Sequence, residues 1–123
     1  MITLDTNVII YYLKGEQSVF PIVDEIFLNE GGAYIASVTE LELFSLSSLE
    51  TEELTKIENF LKLPFVLPLD SHIARIAGTI RRLYRVKLAD SIIAATALYT
   101  KTPLLTRNVR DFKKIGGLQL QEI

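Results

Sequence analysis

The sequence predicts an α/β protein, a three-layer α/β/α sandwich around a central, mostly parallel sheet. Short apolar runs bounded by turn residues alternate with longer amphipathic runs along the chain. That alternation builds a parallel sheet covered by helices on both faces. At 123 residues, 49% of them hydrophobic, the chain suffices for a single domain over 1–123, burying about two-thirds of its unfolded surface. The segment Leu88–Tyr99 carries a single charged residue, Asp90, as expected of a helix at the centre of the fold.

Each element has a local reason. Ile2–Asp5 reads as a short buried strand, and Val8–Leu13 begins a helix that ends near Gly15. Val19–Leu28 has helical periodicity, with Val19, Ile22, Val23, Ile26 and Phe27 on one face, and stops at Asn29-Glu30-Gly31-Gly32. Ala33–Ser37 is a second strand leading into a helix from about Val38 to Leu46. Thr51–Leu63 is amphipathic, with Leu54, Ile57 and Leu61 inward and Pro64 at its end. Phe65–Leu69 is a third strand, kept short or irregular by Pro68. Asp70 or Ser71 caps the next helix, which runs to about Tyr84 with Ile73, Ile76, Ala77, Ile80 and Leu83 inward. After the Leu88–Tyr99 helix come a fourth strand, Pro103–Thr106, a short helix, Val109–Lys114, and a possible last strand, Leu118–Glu122.

Composition narrows the function. There is no cysteine, which removes disulfides, thiolate catalysis and Cys-based zinc sites. A lone histidine, His72, removes two-histidine acid–base ribonuclease chemistry and reads as an ordinary first-turn residue. The Gly31-Gly32 and Gly116-Gly117 pairs lack the context of a phosphate loop. The longest uncharged stretch is the ten residues Ser91–Thr100, well short of the ~18 of a membrane span. The amino terminus lacks a basic, cleavable leader, so a cytoplasmic protein is expected. The mean hydropathy of +0.29 fits either a well-filled core or a core plus an apolar surface awaiting a partner.

The net charge of -2 hides an asymmetry. Residues 1–70 hold three basic side chains against twelve acids, whereas residues 71–123 hold ten against three. A basic half can face phosphates whatever the total charge, because local potential governs docking. The acids of that half are Asp90, Asp111 and the terminal Glu122.

Four separated stations carry acids or an amide: Asp5, Glu42, Asp90 and the pair Asn108/Asp111. The first closes Ile2-Thr3-Leu4-Asp5-Thr6-Asn7, and the second lies in Ser37-Val38-Thr39-Glu40-Leu41-Glu42-Leu43. The third opens Leu88-Ala89-Asp90-Ser91-Ile92-Ile93-Ala94-Ala95-Thr96-Ala97, and the fourth belongs to Leu105-Thr106-Arg107-Asn108-Val109-Arg110-Asp111-Phe112. Asp5 and Thr106 end strands, and open parallel sheets bind ligands at the carboxyl ends of their strands. Converging carboxylates raise one another's pKa unless a cation neutralises them, so such a cluster implies a metal. Duller readings stand beside this one. Asp5 can satisfy backbone N–H groups in the Asp-Thr-Asn turn, Asp90 suits any helix amino terminus, and Asp111 can pair locally with Arg107 or Lys114.

The order and spacing of these segments, from Ile2 to the region of Gly117, resemble the PIN-domain ribonucleases, and most closely the VapC-type toxins of toxin–antitoxin pairs. The most specific pieces are Leu-Asp-Thr-Asn-Val-Ile and Ala-Asp-Ser-Ile-Ile-Ala-Ala-Thr-Ala. The family's Thr-x-x-Glu-Leu pattern selects Glu42 over Glu40, through Thr39 and Leu43. One departure stands out: many members carry Asp two residues after the threonine of the fourth motif, where this chain has Asn108.

The resemblance implies a PIN-like fold and hydrolysis of RNA phosphodiesters with Mg²⁺ or Mn²⁺, hard cations that take oxygen ligands. Asp5 and Asp90 would anchor the metal, with Glu42 contributing directly or through water, and Asn108 and Asp111 shaping a second position. Thr6 or Asn7 would orient Asp5, and Thr106 would hold a water or another site carboxylate. Arg81, Arg82, Arg85 and Lys87, with Arg107, Arg110, Lys113 and Lys114, would guide the RNA backbone. The resemblance further implies tRNA or ribosomal RNA as substrate, a homodimer, and a small antitoxin in the active-site groove. Two other classes remain to be weighed. A degenerate fold that binds RNA or protein without cleaving it is favoured by Asn108. A phosphorylation receiver needs an acidic pair after the first strand and a lysine after the last central strand; Asp5 stands alone and Thr106-Arg107 replaces the lysine.

Overall fold

A computed structural model describes residues 1–46 and 49–123 of the chain. In chain order the elements are β1 (Ile2–Leu4), α1 (Thr6–Leu13), α2 (Phe20–Asn29), β2 (Ala33–Ala36), α3 (Ser37–Phe44) and α4 (Thr51–Phe60). They continue with β3 (Phe65–Leu67), α5 (Ser71–Tyr84), α6 (Leu88–Thr100), β4 (Leu104–Thr106), α7 (Val109–Phe112) and β5 (Leu120–Glu122). The strands form one sheet in the order β3-β2-β1-β4-β5, and every pairing is parallel.

That order places the functional edge. The chain builds outward from β1 through β2 to β3, then returns to lay β4 on the other side of β1. Helices after β1 and β4 therefore leave in opposite senses, opening a crevice at the carboxyl ends of these two strands. Thr3 pairs with Leu104 and Leu4 with Leu105, which brings the next residues, Asp5 and Thr106, side by side at the crevice.

Side chains alternate across the sheet. Leu105 and Ile35 join a core with Val8, Ile9, Val23, Ile26, Ile57 and Phe60 from α1, α2 and α4. Leu104 and Ala36 join the opposite core with Ile73, Ala77 and Ile80 of α5, Ile93 of α6 and Phe112. Residues 91–97 of α6 are all buried, because α6 packs against β1 and β2 on one side and α5 on the other. Its Ala94, Ala95 and Ala97 allow that close approach.

Several expected details shift. The carboxylate of Asp70 caps α5, accepting from the Ile73 N–H at 3.0 Å. Leu83, expected inward, is 60% exposed: the buried stripe Ile73, Ala77, Ile80 next reaches Tyr84, four residues on, and leaves Leu83 on its flank. Ile22 and Leu54 also lie at the surface rather than inward, each beside a narrower stripe than the periodicity suggested. α4 ends at Phe60, which takes the buried position while Leu61 caps the helix. β3 stops at Leu67, because Pro68 has no N–H to extend the ladder. Among the described residues, no helix is long and apolar enough to cross a membrane.

Candidate active site

Asp5 is the last residue before α1 and is only 4% exposed. Its carboxylate makes no N-cap bond deeper into that helix and takes only the adjacent Thr6 N–H, so turn capping does not account for where it points. It reaches across the crevice instead, and Thr106 Oγ1 donates to Asp5 Oδ2 at 2.8 Å. Thr106 Oγ1 in turn accepts from the Asn108 backbone N–H at 2.9 Å. Burial pushes the Asp5 carboxyl up to about 6, against the opposing pull of the Thr106 hydroxyl, and Asp90 and Glu42 add repulsion. Thr106 therefore fixes a carboxylate that its surroundings make costly to ionise.

Glu42 approaches from α3. Thr6 Oγ1 donates to Glu42 Oε1 at 2.7 Å and also bonds Thr39 Oγ1 at 2.9 Å. The hydroxyl of Thr6 thus orients Glu42 rather than Asp5, a correction to the sequence expectation; Asp5 receives only the Thr6 backbone N–H. Asn7 is exposed and makes none of these bonds. Thr39, fully buried, joins the site through Thr6, although in the sequence it serves only to mark the Thr-x-x-Glu-Leu pattern. Its signal was the threonine one helical turn before Glu42, on the same face.

Asp90 lies half-buried in the first turn of α6. Burial raises its pKa, followed by repulsion from Asp111 and Glu42, while Lys87 counteracts the rise. Just before α7, Asn108 Nδ2 donates to Asp111 Oδ2 of that helix at 2.9 Å. The amide therefore steadies the neighbouring acid, and Asp111 makes no ion pair with Arg107 or Lys114 among the described residues. Repulsion links the stations pairwise: Asp5 is repelled by Asp90 and Glu42, and Asp90 by Asp111 and Glu42.

The donors offered are oxygens, the set a hard divalent cation takes. Among the described residues, no three acids or histidines are gathered closely enough to hold a metal ion; Thr6 holds Glu42 and Asn108 holds Asp111. The chemistry of the donor set fits such a cation.

Of the basic residues expected to face RNA, Arg82, Arg85, Lys87 and Arg110 are exposed. Arg81 donates from Nε to the Val86 carbonyl at 3.3 Å. Arg107 departs from the expectation: its guanidinium is engaged by Glu16 and Ser18, each at 2.6 Å. Two surface hollows lie elsewhere. One is lined by Tyr12, Phe20, Phe60 and Leu63, another by Ile10, Leu46, Leu49 and Ile57, and none of the site acids borders them.

A family model described as "PIN domain" matches residues 2–118. The chain is 32% identical over 121 residues to "Ribonuclease VapC19" of Mycobacterium tuberculosis, covering 94% of this chain and 95% of that protein. It is 32% identical over 127 residues to "tRNA(fMet)-specific endonuclease VapC" of Shigella flexneri, covering 97% and 95%. Among solved structures, the DNA-bound VapBC of Salmonella typhimurium superposes with a TM-score of 0.83 at 28% identity, over 99% of this chain and 98% of that one. An all-parallel sheet with its switch point at Asp5 and Thr106, and a family match over nearly the whole length, lead to one conclusion: this chain belongs to the PIN domain family.

Proposed function

We propose that this chain is a metal-dependent endoribonuclease that hydrolyses RNA phosphodiester bonds with Mg²⁺ or Mn²⁺, as the toxin of a toxin–antitoxin pair. The observation that carries the reading is the buried Asp5, raised to about 6 and facing Asp90 and Glu42. A fold does not retain such a repulsive group for stability; a divalent cation would neutralise it. Asp5 and Asp90 would hold the cation, with Glu42 completing its shell. Asp111, steadied by Asn108, would supply the fourth negative charge. A bound divalent cation furnishes a nucleophile at neutral pH and stabilises charge on the phosphoryl and leaving oxygens. Thr106 keeps Asp5 in one rotamer and Thr6 does the same for Glu42, so the ligands need little reorganisation. Arg82, Arg85, Lys87 and Arg110 would draw the RNA backbone towards the crevice.

Relatives named as ribonucleases and as a tRNA(fMet)-specific endonuclease support RNA, and tRNA within it, as the substrate class. A structural relative solved as a VapBC assembly supports a small antitoxin partner. The apolar hollow beside α1, α2 and α4, with Phe20 and Leu63 exposed, supplies surface for a protein partner, and we place a homodimer in the same assembly. The test is cleavage of a tRNA transcript by purified protein. Cleavage with Mg²⁺ or Mn²⁺ that stops with EDTA is expected. Metal-independent cleavage would overturn the mechanism, and RNA binding without cleavage would make the chain a binding module.

A further inference from the structure

Arg107 sits between Thr106 and Asn108, yet its guanidinium turns away from the acids and clamps the loop after α1. Nη1 donates to Glu16 Oε1 and Nη2 to Ser18 Oγ, each at 2.6 Å. The guanidinium carbon lies 4.5 Å from the centre of the Tyr11 ring, and Ser18 Oγ also donates to Glu16 Oε1 at 3.1 Å. The loop that receives it is itself fixed. The Glu16 N–H bonds the Tyr11 carbonyl at 3.1 Å, and the Glu16 carbonyl accepts from Val19 and Phe20 at 3.0 and 2.8 Å.

Two segments carry the site's hydroxyl supports, Thr6 at the start of α1 and Thr106 at the end of β4. The clamp ties the far end of the α1 unit to the turn after Thr106, joining residues 91 apart in sequence. Glu16 and Ser18 already take two of its five N–H donors and Tyr11 one face, so a phosphate would meet a guanidinium whose charge Glu16 largely offsets. Arg82, Arg85, Lys87 and Arg110 carry no such offset, for they make no ion pair among the described residues.

We propose that Arg107 is a positioning residue of this site: its clamp on Glu16 and Ser18 fixes the turn that presents Thr106 to Asp5 and Asn108 to Asp111. The inference rests on the nuclease reading above. It makes Glu16, an acid on the far side of the turn, matter for turnover.

The experiment compares Arg107→Gln, Glu16→Ala, their double variant and Arg107→Lys in three measurements: single-turnover cleavage of a tRNA transcript, its salt-dependent binding, and calorimetric titration with Mn²⁺ alone. Arg107→Gln and Glu16→Ala should each slow cleavage and weaken Mn²⁺ binding by about tenfold, within the range for lost support of ligands. The double variant should be no worse than either, and Arg107→Lys should rescue only in part, since lysine lacks the bidentate fork. RNA affinity and its salt slope should not change. If Arg107→Gln instead weakens RNA binding with a slope shallower by about one, while Glu16→Ala tightens it at unchanged rate, Arg107 is an RNA contact and the proposal fails. It fails equally if both variants keep wild-type rate and Mn²⁺ affinity. Should Arg107→Gln not fold, Glu16→Ala, a change at an outer loop, decides alone. Should the wild type cleave no RNA, the nuclease reading fails separately, and Mn²⁺ affinity judges the clamp.

Discussion

At the scale of single residues, Asp5 makes a signed prediction. Its carboxyl titrates near 6 in the folded chain against an ordinary value of 3.8, so between those pH values the folded state holds the extra proton. Stability of the metal-free protein should therefore be highest below about pH 4 as far as this group decides, and fall as pH rises to 6, by up to about 3 kcal/mol. Asp90, also raised, acts in the same direction. Urea unfolding of Asp5→Asn across that window should show a flatter profile and equal or greater stability at pH 7, with cleavage abolished; an Asp5→Asn protein less stable than wild type at pH 7 would contradict the reading. Asp111 and Asn108 make the second prediction. Because the amide donates to Asp111, Asp111→Asn should weaken Mn²⁺ affinity about as much as Glu42→Gln does. Asn108→Asp should tighten Mn²⁺ binding but destabilise the metal-free fold, by replacing a donor with a facing charge. If Asp111→Asn is silent, the fourth motif is structural. The nearness of Glu42 and Asp90 to Asp5 was legible because each sits in a short local pattern. The Glu16–Arg107 clamp was not, since no periodicity links residues so far apart, and Arg107 read as one more cation in a basic run.

Among the elements, the same contrast between local and tertiary causes recurs. Asp70 before a helical pattern is a local signal, and it caps α5 as expected; Asp70→Ala should cost about 1 kcal/mol in urea unfolding and leave cleavage untouched, since no site residue depends on it. A loss below a few tenths would mean that water serves the Ile73 N–H equally well. Lys101 closes α6 in the left-handed region, at φ 55°, a conformation that costs a side chain about 1–2 kcal/mol. Lys101→Gly should therefore stabilise the chain, and a loss of stability would show that the lysine side chain contributes there. Inward faces were less legible. Leu83, Ile22 and Leu54 all match a helical period but stand at the edge of their stripes, and only the neighbouring layer decides which side of a stripe is covered. The opposite holds for α6, whose scarcity of charge announced burial on every side.

For the whole molecule, the division of charge in the sequence becomes a division between layers. α2 and α4 carry Asp24, Glu25, Glu52, Glu53 and Glu58, while α5 on the opposite face carries Arg75, Arg81 and Arg82 without an acid. RNA should approach from the α5 side, so its affinity should fall steeply with salt, and Arg82→Ala and Arg85→Ala should each reduce the salt slope by about one; equal slopes for wild type and variants would place RNA elsewhere. The parallel sheet was legible, since alternating strands and helices imply it, but its strand order required the structure: only the return from β3 to β4 fixes the crevice between Asp5 and Thr106. On the proposed function, the four stations form one cation site at that crevice. Anomalous diffraction from a crystal soaked in Mn²⁺ tests it most directly. A peak at about 2.0–2.2 Å from carboxylate oxygens of Asp5 and Asp90, with Glu42 or Asp111 in its shell, is the expected result. Mn²⁺ bound only elsewhere, or no peak at Asp5 under conditions that support cleavage, would contradict it.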